Sequence, residues 1–209
     1  HMRIERLGAA ARQSAVTLGE FGGGAIYRGF YLSEGSQFAR HEALLALVGE
    51  AANVSVDGAF LVAESAHCDN TTVITHAAPN TSSRQSFRGV LCGEARAAYQ
   101  GCVKVHAEAQ KTDAYQMSRA LLLSKTAHIA TKPELEIFAD DVQCGHGATA
   151  GEINGDHLFY LMSRGIPAPQ AKALLVKAFV DEMVEELEIN EAIGDARTAK
   201  IDAWPDTNT

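Results

Sequence analysis

The chain predicts a mainly β protein: a right-handed parallel β-helix followed by a C-terminal helical segment. Three observations carry that expectation. Short apolar runs broken by glycine or polar residues follow one another from Arg3 to about Ala150, with too few helical patterns between them for a doubly wound α/β sheet. Hairpin chemistry is scarce, since no Asn-Gly occurs before Gly151 and only Asp57-Gly58 offers an Asp-Gly, whereas sandwiches and up-and-down barrels usually need more. The apolar spacing then changes to a helical one after Gly151. A solenoid satisfies all three, because it stacks its strands in parallel, turns at corners and fills its core rows with Val, Ile, Leu, Cys and Ala.

The elements follow in order. SAVTLGE (14–20) is a strand candidate, GGG (22–24) breaks it, and AIYRGFYL (25–32) resumes. ALLALVG (43–49) is ambiguous, because Ala and Leu suit a helix as well as a strand. VSVDGAFLVA (54–63), TTVITHAA (71–78), SFRGVLC (86–92) and GCVKVHAEA (101–109) are further strands, with glycines at many ends or midpoints where bends are expected. Two more runs, 135–139 and 142–146, flank an acidic turn at Asp140-Asp141. The intervals vary and no hexapeptide period appears, which argues for an irregular right-handed β-helix over the left-handed acyltransferase type.

EINGDHLFYLMSRG (152–165) predicts a helix with Asn154 or Asp156 as N-cap and Gly165 as its stop. Pro167 and Pro169 fix a tight connection, with Pro169 in the first turn of a second helix. That helix, 171–187, carries Leu175, Val176, Phe179, Val180, Met183, Val184 and Leu187 on one wide stripe, and Lys177, Asp181, Glu185 and Glu188 on the other face. The stripe either packs on the chain's own neighbouring elements or leaves part of itself for a partner. From Asn190 onward the chain is a polar tail. The expected organisation is a β-helix core over 3–150, a helical segment over 151–190 and a tail over 191–209. His1-Met2 looks like a tag remnant and is set aside.

Eighteen basic against 26 acidic residues give a net charge of −8 and a pI near 5.5, which makes nucleic acid and anionic membranes poor default partners. No apolar run reaches the ~18 residues of a membrane span, and no secretory signal opens the chain. The four cysteines, 68, 92, 102 and 144, form no Cys-x-x-Cys pair, so reduced thiols in the cytoplasm are expected.

The chemistry concentrates at Cys144 and His146. Residues two apart on a strand share a face, so a thiolate and an imidazole would project together as half of a soft-metal site. The alternative is structural: Val142, Cys144 and His146 share parity, and Cys144 can line a core. Cys102 and His106 form a weaker pair of the same kind. An enzyme reading would draw on Glu134, Glu136, Asp140 and Asp141, as in β-helix carbohydrate-active enzymes, but adjacent Asp residues in a strand point to opposite faces. A pure interaction module without a metal role is a third reading.

TKPELEIFADDVQCGHGATAG (131–151), HLFYLMSRGI (157–166), SRQSFRGVL (83–91) and AQKTDAYQMSRALLLS (109–124) together resemble the SufB/SufD family of iron–sulfur cluster assembly proteins, and the KPxLEIxADDVxCxHGAT form resembles SufD. The resemblance covers most of the chain and matches the C-terminal part of longer family members. It implies a non-catalytic scaffold subunit that pairs with a SufB-like subunit, binds a SufC-like ATPase through its helical segment and helps to build a transient iron–sulfur cluster. His146 would be a cluster-site residue with Cys144 beside it. ATP hydrolysis would belong to the partner, as the chain has no GxxxxGK[ST] loop and binds no nucleotide itself. Phe159, Arg164, Gly165, Leu175 and Phe179 are the candidate ATPase contacts. Removing 152–209 is expected to leave the β-helix folded, and an uncapped solenoid end would invite homodimers of the isolated chain.

Overall fold

A computed structural model describes residues 2–6, 8 and 10–185. Among the described residues, eleven strands alternate between two parallel sheets and wind a β-solenoid of about five turns, followed by two helices. The six-stranded sheet runs β1 (Met2–Arg6), β3 (Ile26–Glu34), β5 (Asn53–Val62), β7 (Ser82–Leu91), β9 (Thr112–Leu122) and β11 (Val142–Gly151). The five-stranded sheet runs β10 (His128–Ile137), β8 (Arg96–Val105), β6 (His67–His76), β4 (Phe38–Leu47) and β2 (Arg12–Phe21). The repeat is irregular, as expected: Arg12 sits beside Phe38, 26 residues on, whereas Arg96 sits beside His128, 32 on.

The two-residue period of each strand sorts its side chains between the interior and one outer face. Leu45, Leu47, Val54, Val56, Phe60, Ile74 and Leu91 fill the interior between the sheets. The ambiguous 43–49 run is resolved by this demand, since β4 ends at Leu47 with Ala43, Leu45 and Leu47 inward. Two interior glycines make room for aromatic neighbours. Gly58 pairs with Phe87 and Gly89 with Phe60 across β5 and β7, and each ring occupies the space a Cβ on its glycine would need.

The corners explain why the strand boundaries were hard to read. Gly24, Ala51, Asn80 and Lys111 occupy equivalent corners with φ of 66°, 60°, 58° and 59°. Their N–H groups donate to the carbonyls of Glu50, Pro79, Gln110 and Asp141, each on the following turn of the solenoid. Three of these four left-handed positions carry a Cβ, and that ladder of bonds holds them there. β9 lacked an apolar signature because its inward positions are Ala114, Gln116, Ser118 and Ala120. The strand set also begins earlier than expected, at Met2.

Helix α1 (Gly155–Ser163) is capped by Asn154, whose side chain accepts from the N–H groups of Asp156 and His157. It ends as expected at Gly165, φ 87°, where the Gly165 N–H reaches Met162 O and the Ile166 N–H reaches Leu161 O. Helix α2 (Ala168–Glu185) lies on the outer face of the six-stranded sheet. Val176 and Val180 are buried against Phe30, Leu32, Ala59, Leu61, Val90 and Leu121, so the central part of the stripe packs on the chain's own strands. Burial of this order is worth about 1.5–3 kcal/mol for each valine. Removing 152–209 would bare this continuous apolar face. The side chains of Met183, Val184 and Glu185, the expected helix end at Leu187 and Glu188, and the tail 191–209 lie outside the described residues. Among the described residues no helix is long and apolar enough to cross a membrane.

Candidate functional site

Strand β11 is the edge of the six-stranded sheet, with β9 on one side and, among the described residues, no strand on the other. Val142 and Cys144 turn inward and pack with Val103, Val105, Ala109, Ala114, Ala139 and Leu135 in the last turn's own small core. Burial pushes the Cys144 thiol up, and Asp113 pushes it the same way, while a backbone hydrogen bond at Ala114 works against both. Cys144 is thus half-buried and held as a neutral thiol. His146 has the same parity but is exposed, and it stands beside Gln116 of β9.

The outward positions on either side of His146, Gly145 and Gly147, are glycines, and the chain itself uses the space. The Tyr115 ring lies 3.2 Å from where a Gly145 Cβ would stand, and Met117 crowds the corresponding point at Gly147. The glycines therefore let β9 side chains lie across the outer face of β11.

A polar row that sequence reasoning missed leads inward from His146. Gln85, Gln116 and His146 stand side by side on β7, β9 and β11. Gln116 is fully buried and spans the interior, its Nε2 donating to Glu134 O at 3.0 Å, with its Oε1 in the space that Gly101 leaves free. Gln85 Oε1 accepts from the hydroxyls of Thr72 and, at 3.5 Å, Tyr99. The signal was present as polar residues at inward positions of apolar strands, but the inward parity of β9 is only known once its partners are.

The other candidates are placed as follows. Cys102 points outward, its Sγ 3.9 Å from Glu136 Oε1, and burial pushes its thiol up with Glu136 adding to the effect. His106 is exposed beyond the end of β8. Glu134 and Glu136 are ion-paired with Lys132 at 2.9 Å and Lys104 at 3.1 Å, which leaves them poorly suited to paired acid–base work. Asp140 and Asp141 lie in the turn before β11, which is fastened by the Asp141 N–H to Gln110 Oε1. Among the described residues no three His, Cys, Asp or Glu side chains form a group that could hold a metal, so Cys144 and His146 gain no third ligand from those residues.

On the helices, Phe159 is 73% exposed, with Tyr160 and Met162 also exposed, and α1 buries no residue. The Arg164 guanidinium lies 5.9 Å from the Tyr160 ring centroid, next to exposed Gly165. Leu175 and Phe179 are half-buried, and Phe179 is engaged by Arg88 of β7. The five candidate docking residues thus divide into an exposed set on and after α1 and a pair partly used in holding α2 to the sheet.

A parallel solenoid with α2 laid on one sheet and a Cys-x-His edge strand closing its last turn is the architecture to compare with known proteins. The family model for the SUF system FeS cluster assembly SufBD core domain matches residues 1–179. The chain belongs to the SufBD family. Among curated proteins it is 36% identical over 153 residues to the iron–sulfur cluster assembly protein SufD of Escherichia coli, covering 73% of this chain and 36% of that protein. It is 32% identical over 197 residues to the SufBD family protein slr0076 of Synechocystis, covering 94% of this chain and 44% of that one. The chloroplastic protein ABCI7 of Arabidopsis thaliana is 38% identical over 120 residues, 57% of this chain and 25% of the relative. The chain therefore spans less than half the length of these curated relatives.

Proposed function

We propose that this chain is the core of a SufD-like scaffold subunit, a non-catalytic part of a cytoplasmic SUF complex in which a nascent iron–sulfur cluster is assembled as cargo. The observation that carries the proposal is the position of His146: exposed, on the edge strand, at the inner face of the last turn, with Cys144 two residues before it. An unpaired strand edge is a template for pairing, which suits a SufB-like subunit docking along β11 and β10 and supplying the remaining ligands. An exposed imidazole can offer a ring-nitrogen lone pair to a metal, whereas the half-buried Cys144 thiol, pushed up by burial, must first lose its proton. His146 is the better ligand of the two, and Cys144 shapes the wall beside it. The exposed Phe159, Tyr160 and Met162 on α1 suit a SufC-like ATPase.

The test uses the chain combined with its SufB-like and SufC-like partners. His146→Ala should leave the complex intact by size but lower the yield of reconstituted cluster, and Cys144→Ala should have the smaller effect. Phe159→Asp should release the ATPase without changing the fold. Cluster formation at the wild-type rate with His146→Ala would reduce this subunit to an interaction module.

A further inference from the structure

Between the solenoid and the helices lies a cavity of about 420 Å³, within the size range of small-molecule sites. It is separate from β11's inward face. Leu122, Leu123 and Ile153 make its apolar wall, and Cys92 lines it beside them. Lys125, from the turn after β9, and Lys172, from the start of α2, also line it, two cationic side chains to the one carboxylate of Glu152.

Three features single it out. Neither Lys125 nor Lys172 has an ion pair among the described residues, although most other lysines described on the solenoid and α2 are paired, as Lys104, Lys132 and Lys177 are. The N-terminal end of α2 has no acidic residue in its first turn and a lysine soon after, the reverse of what the helix dipole favours. The wall is also preformed. Ser124 Oγ and Thr126 Oγ1 both donate to Gly93 O at 2.6 Å, and Gly93 itself holds φ 68°. Burial pushes the Cys92 thiol up, against a backbone hydrogen bond at Glu64 that pulls it down and a smaller upward push from the Glu64 carboxylate.

We propose that this cavity binds a small organic anion, an apolar body carrying one carboxylate or phosphate that is held between Lys125 and Lys172. The apolar body lies on Leu122, Leu123 and Ile153, and the anionic group replaces the water around two unpaired ammonium ions. Its walls come from both the solenoid and the helical segment, so a bound anion ties the two together. The site is independent of the cluster reading.

Calorimetry on the full chain tests it with four probes: 1-naphthyl phosphate, 1-naphthoate, uncharged 1-naphthol and inorganic phosphate. Saturable 1:1 binding of at least one naphthyl anion is expected, and the tighter of the two identifies the anionic group. The double variant Lys125→Ala/Lys172→Ala should weaken it tenfold or more at unchanged melting temperature, while Lys104→Ala should not. The bound anion should also slow maleimide modification of Cys92. The proposal is overturned if neither anion binds at millimolar concentration, if 1-naphthol binds as tightly, if inorganic phosphate alone matches the naphthyl phosphate, or if the double variant binds as well as the native chain.

Discussion

Arg88 holds Phe179 in two ways: its guanidinium lies 5.3 Å from the ring centroid, and its Nη1 donates to the Phe179 carbonyl. Arg88 is 2% exposed although it projects from the outer face of β7, because α2 covers it. One buried cation thus fastens the helical segment to the solenoid at mid-helix.

Replacing it should loosen α2 rather than the strands. Arg88→Ala is expected to cost about 2–4 kcal/mol through lost packing and a lost charge-assisted bond. Protease sensitivity should rise between 151 and 168 before the core unfolds. Arg88→Lys should rescue little, since a compact ammonium cannot stack on the ring and reach the carbonyl with the same planar group. Urea unfolding and timed proteolysis read the two effects separately.

Gly89 and Phe60 make a test of interior packing. A Cβ at Gly89 would collide with the Phe60 ring, which is fully buried and has no room to yield. Gly89→Ala should destabilise the fold by about 1–3 kcal/mol. The double change Gly89→Ala/Phe60→Leu should recover part of that loss, which urea titration would detect as non-additivity.

Lys111 tests the corners. Its φ of 59° is one that a β-branched residue tolerates badly, and its N–H donates to Asp141 O at 2.6 Å. Lys111→Gly should be neutral or stabilising by under about 1 kcal/mol, whereas Lys111→Val should cost about 2 kcal/mol. Equal melting temperatures for the two variants would contradict the corner argument.

His76 sets a pH dependence. It is fully buried, with Nδ1 2.8 Å from Thr81 Oγ1 and Nε2 2.9 Å from Ser83 Oγ. Burial lowers its pKa to about 4, against a smaller opposing push from Asp113. The unfolded chain, titrating near 6.5, therefore takes up the proton first. The contribution is complete above pH 6.5, falls as the pH drops towards 4 and is flat below it. The difference from His76→Gln should amount to about 3 kcal/mol across that window. Parallel pH profiles for the two proteins would show that His76 is not the group responsible.

The β-solenoid class, the change to helix after Gly151, the Asn154 cap and the Gly165 stop were legible because each rests on neighbours a few residues apart. Strand parity is equally local, so Cys144 and His146 could be placed on one face before any fold was known. β9 stayed hidden because Gln116 and Ser118 stand where apolar residues were sought, and the corners at Ala51, Asn80 and Lys111 lack the glycine that marks such turns. In both cases a partner about thirty residues away satisfies what the local sequence leaves unsatisfied.

The amino-acid sequence determined the class of fold and the pairing of a thiol with an imidazole, which follow from periods of two and 3.6 residues, and the helix ends, which follow from the Asn154 cap and the Gly165 stop. Tertiary structure decided that Cys144 is packed while His146 is exposed, that α2 covers the six-stranded sheet through Arg88, and that Lys125 and Lys172 line one cavity. Those outcomes depend on register between successive turns, which is set by what fills the interior once the strands stack.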